Sequence, residues 1–194
     1  MINVSSASLH DVPMVIDVIA EAFSSDPTWT WAFPDISTRK KFWNLLISNA
    51  LRYPTVYKTK GFEAVSVWIP PNGVELPPEV EESLPEILEE LVGARASEVL
   101  ELLQKFGDAH PHSQPHYYLS LLGVQHNFRG QGLGIKLLKE NLAQIDAEKM
   151  PAYLESSNPV NNHRYESLGF APVVSFNAPN NGPAITGMWR QGLL

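Results

Sequence analysis

The run Leu121-Leu122-Gly123-Val124-Gln125-His126-Asn127-Phe128-Arg129-Gly130-Gln131-Gly132-Leu133-Gly134-Ile135-Lys136-Leu137-Leu138 constrains this chain more than any other segment. An apolar strand enters a short polar bend, then a glycine-spaced turn, then a helix whose apolar face carries Leu133, Leu137, Leu138, Leu142 and Ile145. Backbone N–H groups converge where such a turn opens a helix, and an anionic phosphate fits there. A Walker loop requires Gly-Lys-Ser/Thr, but Lys136 lies between Ile135 and Leu137. A dinucleotide fingerprint requires a glycine where Ile135 sits, within an early βαβ unit. What remains is Arg-x-x-Gly-x-Gly, filled by Arg129, Gly132 and Gly134. A glycine turn alone is equally an ordinary tight connection.

A second block narrows the reading. Tyr153-Leu154-Glu155-Ser156-Ser157-Asn158-Pro159 is a strand running into a helix start. Asn161-Asn162-His163-Arg164-Tyr165-Glu166-Ser167-Leu168-Gly169-Phe170 is a helix closed by glycine and an aromatic residue. In order and separation, the two blocks resemble the GNAT superfamily of acyl-CoA-dependent N-acetyltransferases. Within it, Asp11-Val12-Pro13, Ala64-Val65-Ser66-Val67-Trp68 and Tyr118-Leu119-Ser120-Leu121-Leu122-Gly123-Val124 are most similar to the puromycin N-acetyltransferase type. Between Phe23 and Tyr57 no such likeness is found, so the antibiotic is not carried over as substrate.

The chain has 194 residues, no cysteine and a formal net charge of −7. That length suits one domain, here an acyl-CoA N-acyltransferase domain over residues 1–194. Without cysteine there is no disulfide, no thiolate metal site and no acyl-cysteine intermediate. The charge argues against a nucleic-acid partner and suits a cationic amine, although acidic residues between Glu79 and Glu101 read mainly as a solvated helical face. No basic-then-apolar leader opens the sequence and no run of about 18 apolar residues occurs, so export and membrane association are not expected. The cytoplasm is the expected compartment, with a monomer or homodimer as the assembly. His110, His112 and His116 sit in a proline-rich stretch with no second ligand cluster, so no metal is expected.

The pattern predicts a short strand at Ile2 to Val4, then a helix capped by Asp11 and running to about Phe23. An aromatic segment with Trp29, Trp31, Phe33, Phe42 and Trp43 reads first as core. Strands follow at Val56 to Thr59 and Ala64 to Ile69, and helix from Pro78 to Phe106 interrupted near Pro85 and Gly93. A loop spans Gly107 to Pro115. Strands at His116 to Val124, Ala152 to Ser156, Phe170 to Phe176 and Ala184 to Arg190 complete an α/β (α+β) fold. The resemblance implies a mixed, mostly antiparallel sheet with splayed central strands and helices on both faces.

It also implies a site. Amides of Arg129, Gly130, Gln131, Gly132, Leu133, Gly134 and Ile135 would hold the CoA pyrophosphate, with Leu122, Gly123 and Val124 pairing with pantetheine. An N–H at Val124 would polarise the thioester carbonyl. Tyr165 matches the tyrosine that protonates the departing sulfur, and is otherwise a packing residue over Leu168. Asn158 either contacts CoA or caps the following helix, and Asn161 is a second contact. Glu155 is the first choice for taking the amine's proton or binding its ammonium group, with Glu21, Asp26, His116 or ordered water as alternatives. Trp29, Trp31 and Asp26 are candidate acceptor-pocket residues. The expected activity is direct acetyl transfer from acetyl-CoA, as cosubstrate, to the primary amine of a small molecule in a ternary complex. A non-catalytic acyl-CoA sensor or assembly module and a protein or peptide N-acetyltransferase are the alternatives.

Overall fold

The computed structural model describes residues 2–192. Seven strands, β1 (Val4–Ser6), β2 (Val56–Thr59), β3 (Ala64–Ile69), β4 (Tyr117–Val124), β5 (Ala152–Ser156), β6 (Ala171–Asn177) and β7 (Ala184–Arg190), form one sheet in the order β1-β2-β3-β4-β5-β7-β6. Every neighbouring pair is antiparallel except β4 and β5. Helices cover both faces. On one lie α1 (Val12–Ala22), α2 (Pro27–Ala32), α3 (Ile36–Ala50), α5 (Leu84–Val92) and α6 (Ala96–Ala109); the short α4 (Pro78–Glu82) leads into α5. On the other lie α7 (Leu133–Ala147) and α8 (Asn162–Glu166). The expected mixed sheet is therefore what the chain builds.

Two features of the sheet make the site. The parallel pair β4/β5 has only three rungs, Tyr117↔Ala152, Tyr118↔Tyr153 and Leu119↔Leu154, after which the strands part. On its other edge β4 carries a bulge: Val67 and Trp68 of β3 face Leu121 and Leu119, which leaves Ser120 as the extra residue. The bulge switches faces, so Leu121 joins the core under α1 while Leu119 joins the core under α7.

Packing explains the remaining elements. All six residues of β3 are buried because helices cover it on both sides. Its one polar member, Ser66, donates to Asn141 Oδ1 on α7 (2.8 Å), which Trp68 Nε1 also reaches (3.1 Å). Gly123 lets α1 approach β4, since a Cβ there would lie 2.9 Å from Ile19 Cδ1 and 3.3 Å from the Val18 carbonyl oxygen.

Several boundaries differ from the sequence reading. Asp11 occupies the N-cap position of α1 but makes no side-chain capping bond; its carboxylate accepts from Ser8 N–H (2.8 Å) and so closes the 3-10 turn Leu9–Asp11. Phe23 follows the end of α1. The aromatic segment holds two helices that periodicity did not reveal, because Trp29, Phe33, Phe42 and Trp43 pack on one another rather than along a single stripe. Both have Asx caps: Asp26 accepts from Thr28 and Trp29 N–H, and Asp35 accepts from Ser37 and Thr38 N–H. Helix α6 runs through Gly107 to Ala109, where a loop was expected. The segment after Asn158 is a 3-10 turn, Pro159–Asn161, followed by the single-turn α8.

Candidate active site

A cavity of about 1110 Å³ opens where β4 and β5 part. Gln125 N–H donates to the Glu63 carbonyl (2.9 Å), and the register sets Val124 opposite Ala64 and Gly123 opposite Val65. Antiparallel alternation then turns the main-chain groups of Leu121 and Gly123 toward β3 and those of Leu122 and Val124 toward the opposite edge. On that edge β5 has already diverged. Leu122 and Val124 line the cavity and Gly123 does not, since it faces α1.

The glycine turn forms the cavity mouth. Gly130 (φ 78°) and Gly132 (φ 72°) are both left-handed, a conformation that costs other residues about 1–2 kcal/mol. Space beyond their Cα atoms is open. Phe128 and Arg129 N–H donate within the preceding 3-10 turn, and Lys136 N–H donates to the Gly132 carbonyl. Among the described residues no acceptor meets the amides of Gly130 through Ile135. Six successive donors at the positive end of α7 suit a diphosphate. Gly134 packs on β4, where a Cβ would lie 3.1 Å from Val124 Cγ2. The Arg129 guanidinium is turned away from the amides, donating to the Glu21 and Ala22 carbonyls at the end of α1 (3.1 and 2.8 Å). The Gln131 side chain donates to the Asn127 carbonyl and lies outside the cavity lining.

Four carboxylates line the cavity, Asp26, Glu75, Glu81 and Glu155, against the cationic Arg129 and Arg164. Glu155 follows the last β4/β5 rung. Its side chain is 2% exposed, neither oxygen accepts a hydrogen bond of good geometry although the Tyr118 and Tyr153 phenols stand beside it, and Oε1 lies 3.7 Å from His110 Nδ1. A buried carboxylate without such a bond at a cavity wall is costly unless a cation or proton arrives there. Burial drives the neighbouring phenols Tyr118 and Tyr153 upward in pKa, and the Glu155 charge adds to it. Glu75 accepts from Ser120 Oγ on the β4 bulge. Burial, with Glu155 and Glu81 adding negative charge, pushes the Glu75 carboxyl up to about 7, against the hydrogen bond from Ser120 and the nearby His110. Sequence reasoning missed Glu75 because no local pattern ties it to a strand 45 residues away.

The other candidates divide. Tyr165 faces the cavity beside Phe170 (ring centroids 6.3 Å). Burial and the Asp26 charge push its phenol up to about 12. Asn158 takes the capping role, accepting from Val160 N–H (3.2 Å), and Asn161 accepts from Arg164 Nη1 (2.9 Å); both line the cavity. Trp29 reaches it too. Trp31 does not line it and instead lies under the Arg95 guanidinium, 4.9 Å from the ring centroid. Both oxygens of Asp26 are engaged: Oδ1 caps α2 and Oδ2 accepts from Ser157 Oγ (2.8 Å), so it ties α2 to the residue that follows β5. Asp26→Ala is expected to cost about 1–3 kcal/mol by orphaning those donors, and Asp26→Asn clearly less; urea denaturation measures both. Among the described residues no group of three or more His, Cys, Asp or Glu could hold a metal ion, and no helix is long and apolar enough to cross a membrane.

A family model described as "Acetyltransferase (GNAT) domain" matches residues 106–190. Acetyltransferase Atu2258 of Agrobacterium fabrum is 38% identical over 72 residues, 36% of this chain and 51% of that protein, so the matched region spans about half that relative's length. Three solved structures share the fold, each with a TM-score of 0.69. One is a histone acetyltransferase HPA2 and related acetyltransferase from Corynebacterium glutamicum, 24% identical, covering 100% of this chain and 98% of that one. A polyamine N-acetyltransferase from Drosophila melanogaster is 16% identical over 98% and 100% of the two chains. Arylalkylamine N-acetyltransferase 2 from Aedes aegypti is 15% identical over 98% of each. Residues 106–190, which hold the parted strands, the glycine turn and Tyr165, thus match the GNAT acetyltransferase domain model, and the chain as a whole shares its fold with these solved acetyltransferases.

Proposed function

We propose that residues 1–194 form one cytoplasmic N-acetyltransferase domain that moves an acetyl group from acetyl-CoA directly to the primary amine of a small molecule. The six unpartnered amides of Gly130 to Ile135, at the mouth of a cavity whose wall is an open strand edge, carry this reading. Acetyl-CoA supplies the activated acetyl thioester. The amides of the turn fit its diphosphate, and the Leu122 and Val124 main chain fits the pantetheine as a missing strand would. The Val124 N–H, aimed at the open edge, is placed to bond an acyl oxygen as negative charge grows on it.

The far end of the cavity supports a cationic acceptor. Glu155 lines the cavity there, and Glu75, whose carboxyl is pushed up to about 7, adds negative charge as it ionises. An ammonium ion is inert as a nucleophile until it loses a proton, and Glu155 is the group positioned to take one. The aromatic wall, Trp29 with Phe42 and Phe106, accommodates an apolar body on the amine. The activities of the fold neighbours, forming N-acetylagmatine or acting on arylalkylamines, are consistent with a small amine. The likeness to the puromycin N-acetyltransferase type rests on sequence segments such as Asp11-Val12-Pro13, Ala64 to Trp68 and Tyr118 to Val124.

Tyr165 serves the leaving sulfur. A phenol near 12 is fully protonated at neutral pH, but complete transfer to a thiolate of about 8.5 is uphill by about 5 kcal/mol. Donating a hydrogen bond as the sulfur gains charge is the role this group can fill. Tyr165→Phe is therefore expected to lower kcat about 10- to 100-fold with acetyl-CoA affinity nearly unchanged. Single-turnover thiol release and ligand titration separate the two, and wild-type turnover leaves Tyr165 as packing. The whole reading is tested by thermal denaturation with and without acetyl-CoA, followed by a thiol-release screen across arylalkylamines, agmatine, polyamines and peptides. No thermal shift, or turnover of peptides alone, overturns it.

A further inference from the structure

Three histidines, His110, His112 and His116, lie between α6 and β4 at the acceptor end of the cavity. His116 Nδ1 is 2.8 Å from the Gln114 carbonyl oxygen, which only accepts, so that nitrogen carries a proton. Burial lowers the His116 pKa, which keeps the ring neutral and its Nε2 bare. His110 Nε2 lies 3.0 Å from this lone pair and must donate to it. One nitrogen of His110 is then left free to gain or lose a proton. It is Nδ1, the atom 3.7 Å from Glu155 Oε1.

We propose that Glu155 and His110 take the acceptor's proton as a single unit, and that His116 is the positioning residue that fixes His110 Nδ1 as its outlet. This rests on the acetyltransferase reading above. The N–H bond of R–NH3⁺ breaks toward Glu155, leaving the electron pair on the amine and a neutral carboxyl group. The proton then moves to His110 Nδ1 by a small side-chain rotation or through one water. Glu155 is ionised again, now beside an imidazolium, so a lone buried charge has become an ion pair. His110, 26% exposed against 2% for Glu155, returns the proton to water.

The sign of the pH dependence follows. The unit accepts a proton only when His110 is neutral, so kcat/KM rises with pH as the pair empties. The surrounding titratable groups are Glu75 from the segment after β3, Tyr118 on β4, Tyr153 on β5, and His112 and His116 from the α6–β4 connection. The rising limb thus has an apparent pKa belonging to the cluster.

The test uses the full chain with ¹⁵N-labelled histidine, read by two-bond nitrogen–proton NMR without ligand. The expected result is a neutral His116 held as the Nδ1–H tautomer, and a His110 that is Nε2–H when neutral and whose Nδ1 resonance moves in Glu155→Gln. A His110 that is Nδ1–H when neutral, or insensitive to Glu155→Gln, overturns the proposal. In the kinetic arm, with whichever of agmatine, tyramine or tryptamine is turned over, His110→Gln is expected to lower kcat about 10²-fold and erase the rising limb. Added imidazole restores part of the rate, and the acetyl-CoA thermal shift stays at its wild-type value. Wild-type turnover and pH profile in His110→Gln overturn the relay alone, whereas no thermal shift in the wild type overturns the acetyltransferase reading.

Discussion

Gly132→Trp is expected to abolish acetyl-CoA binding while the chain still folds. Gly132 precedes α7 at φ 72°, and a Cβ there meets nothing within 4 Å. An indole therefore projects into the space that the unpartnered amides face, without displacing any packed group. The backbone penalty of about 1–2 kcal/mol is small beside the stability of most domains. In the wild type, acetyl-CoA at 100 times its Kd adds about 2.7 kcal/mol of stability. That gain should vanish in the variant, with the far-UV circular dichroism spectrum preserved. Gly132→Ala isolates the strain, because a methyl group leaves most of the space open. Equal thermal shifts in wild type and Gly132→Trp would remove the turn from the cofactor site.

Glu155→Gln is expected to move activity and stability in opposite directions. Turnover should fall by about 10²- to 10⁴-fold, the range for losing a positioned base. Stability should hold or rise, because the substitution removes, from a site only 2% exposed, an ionisable group that accepts no hydrogen bond of good geometry. A residue kept for packing behaves otherwise and loses stability when changed. The pairing of lower turnover with an equal or higher melting temperature is the signature, measured on one preparation by thiol release and calorimetry. Full turnover in the variant would transfer the base role elsewhere in the cavity.

The parts of this site that follow one another along the chain were legible in the sequence. Strand, glycine turn and helix from Tyr117 to Ala147 form from local propensity and spacing, so their order marks the candidate phosphate cradle. Glu155 and Tyr165 became candidates through the second block, whose resemblance to the GNAT superfamily singled them out. What stayed hidden depends on distant partners. Glu75 reaches the site only because Ser120 bulges out of β4. The His116–His110–Glu155 alignment needs a helix end, a loop and a strand to meet. Asp26 looked like a free carboxylate, yet three donors, one of them 131 residues away in sequence, already occupy it. The aromatic segment gave no helical stripe, since its side chains face one another from three directions.

The three-rung seam between β4 and β5 has a mechanical consequence. The two halves of the sheet are stitched at one end and free at the other, so slow hinging about Tyr117–Leu119 costs few ladder bonds. A molecule lying along the gap would act as a zipper between the halves, damping that breathing and shielding main-chain protons on both sides from exchange. Occupancy would then be felt as far away as β6 and β7, which follow β5 as one leaf.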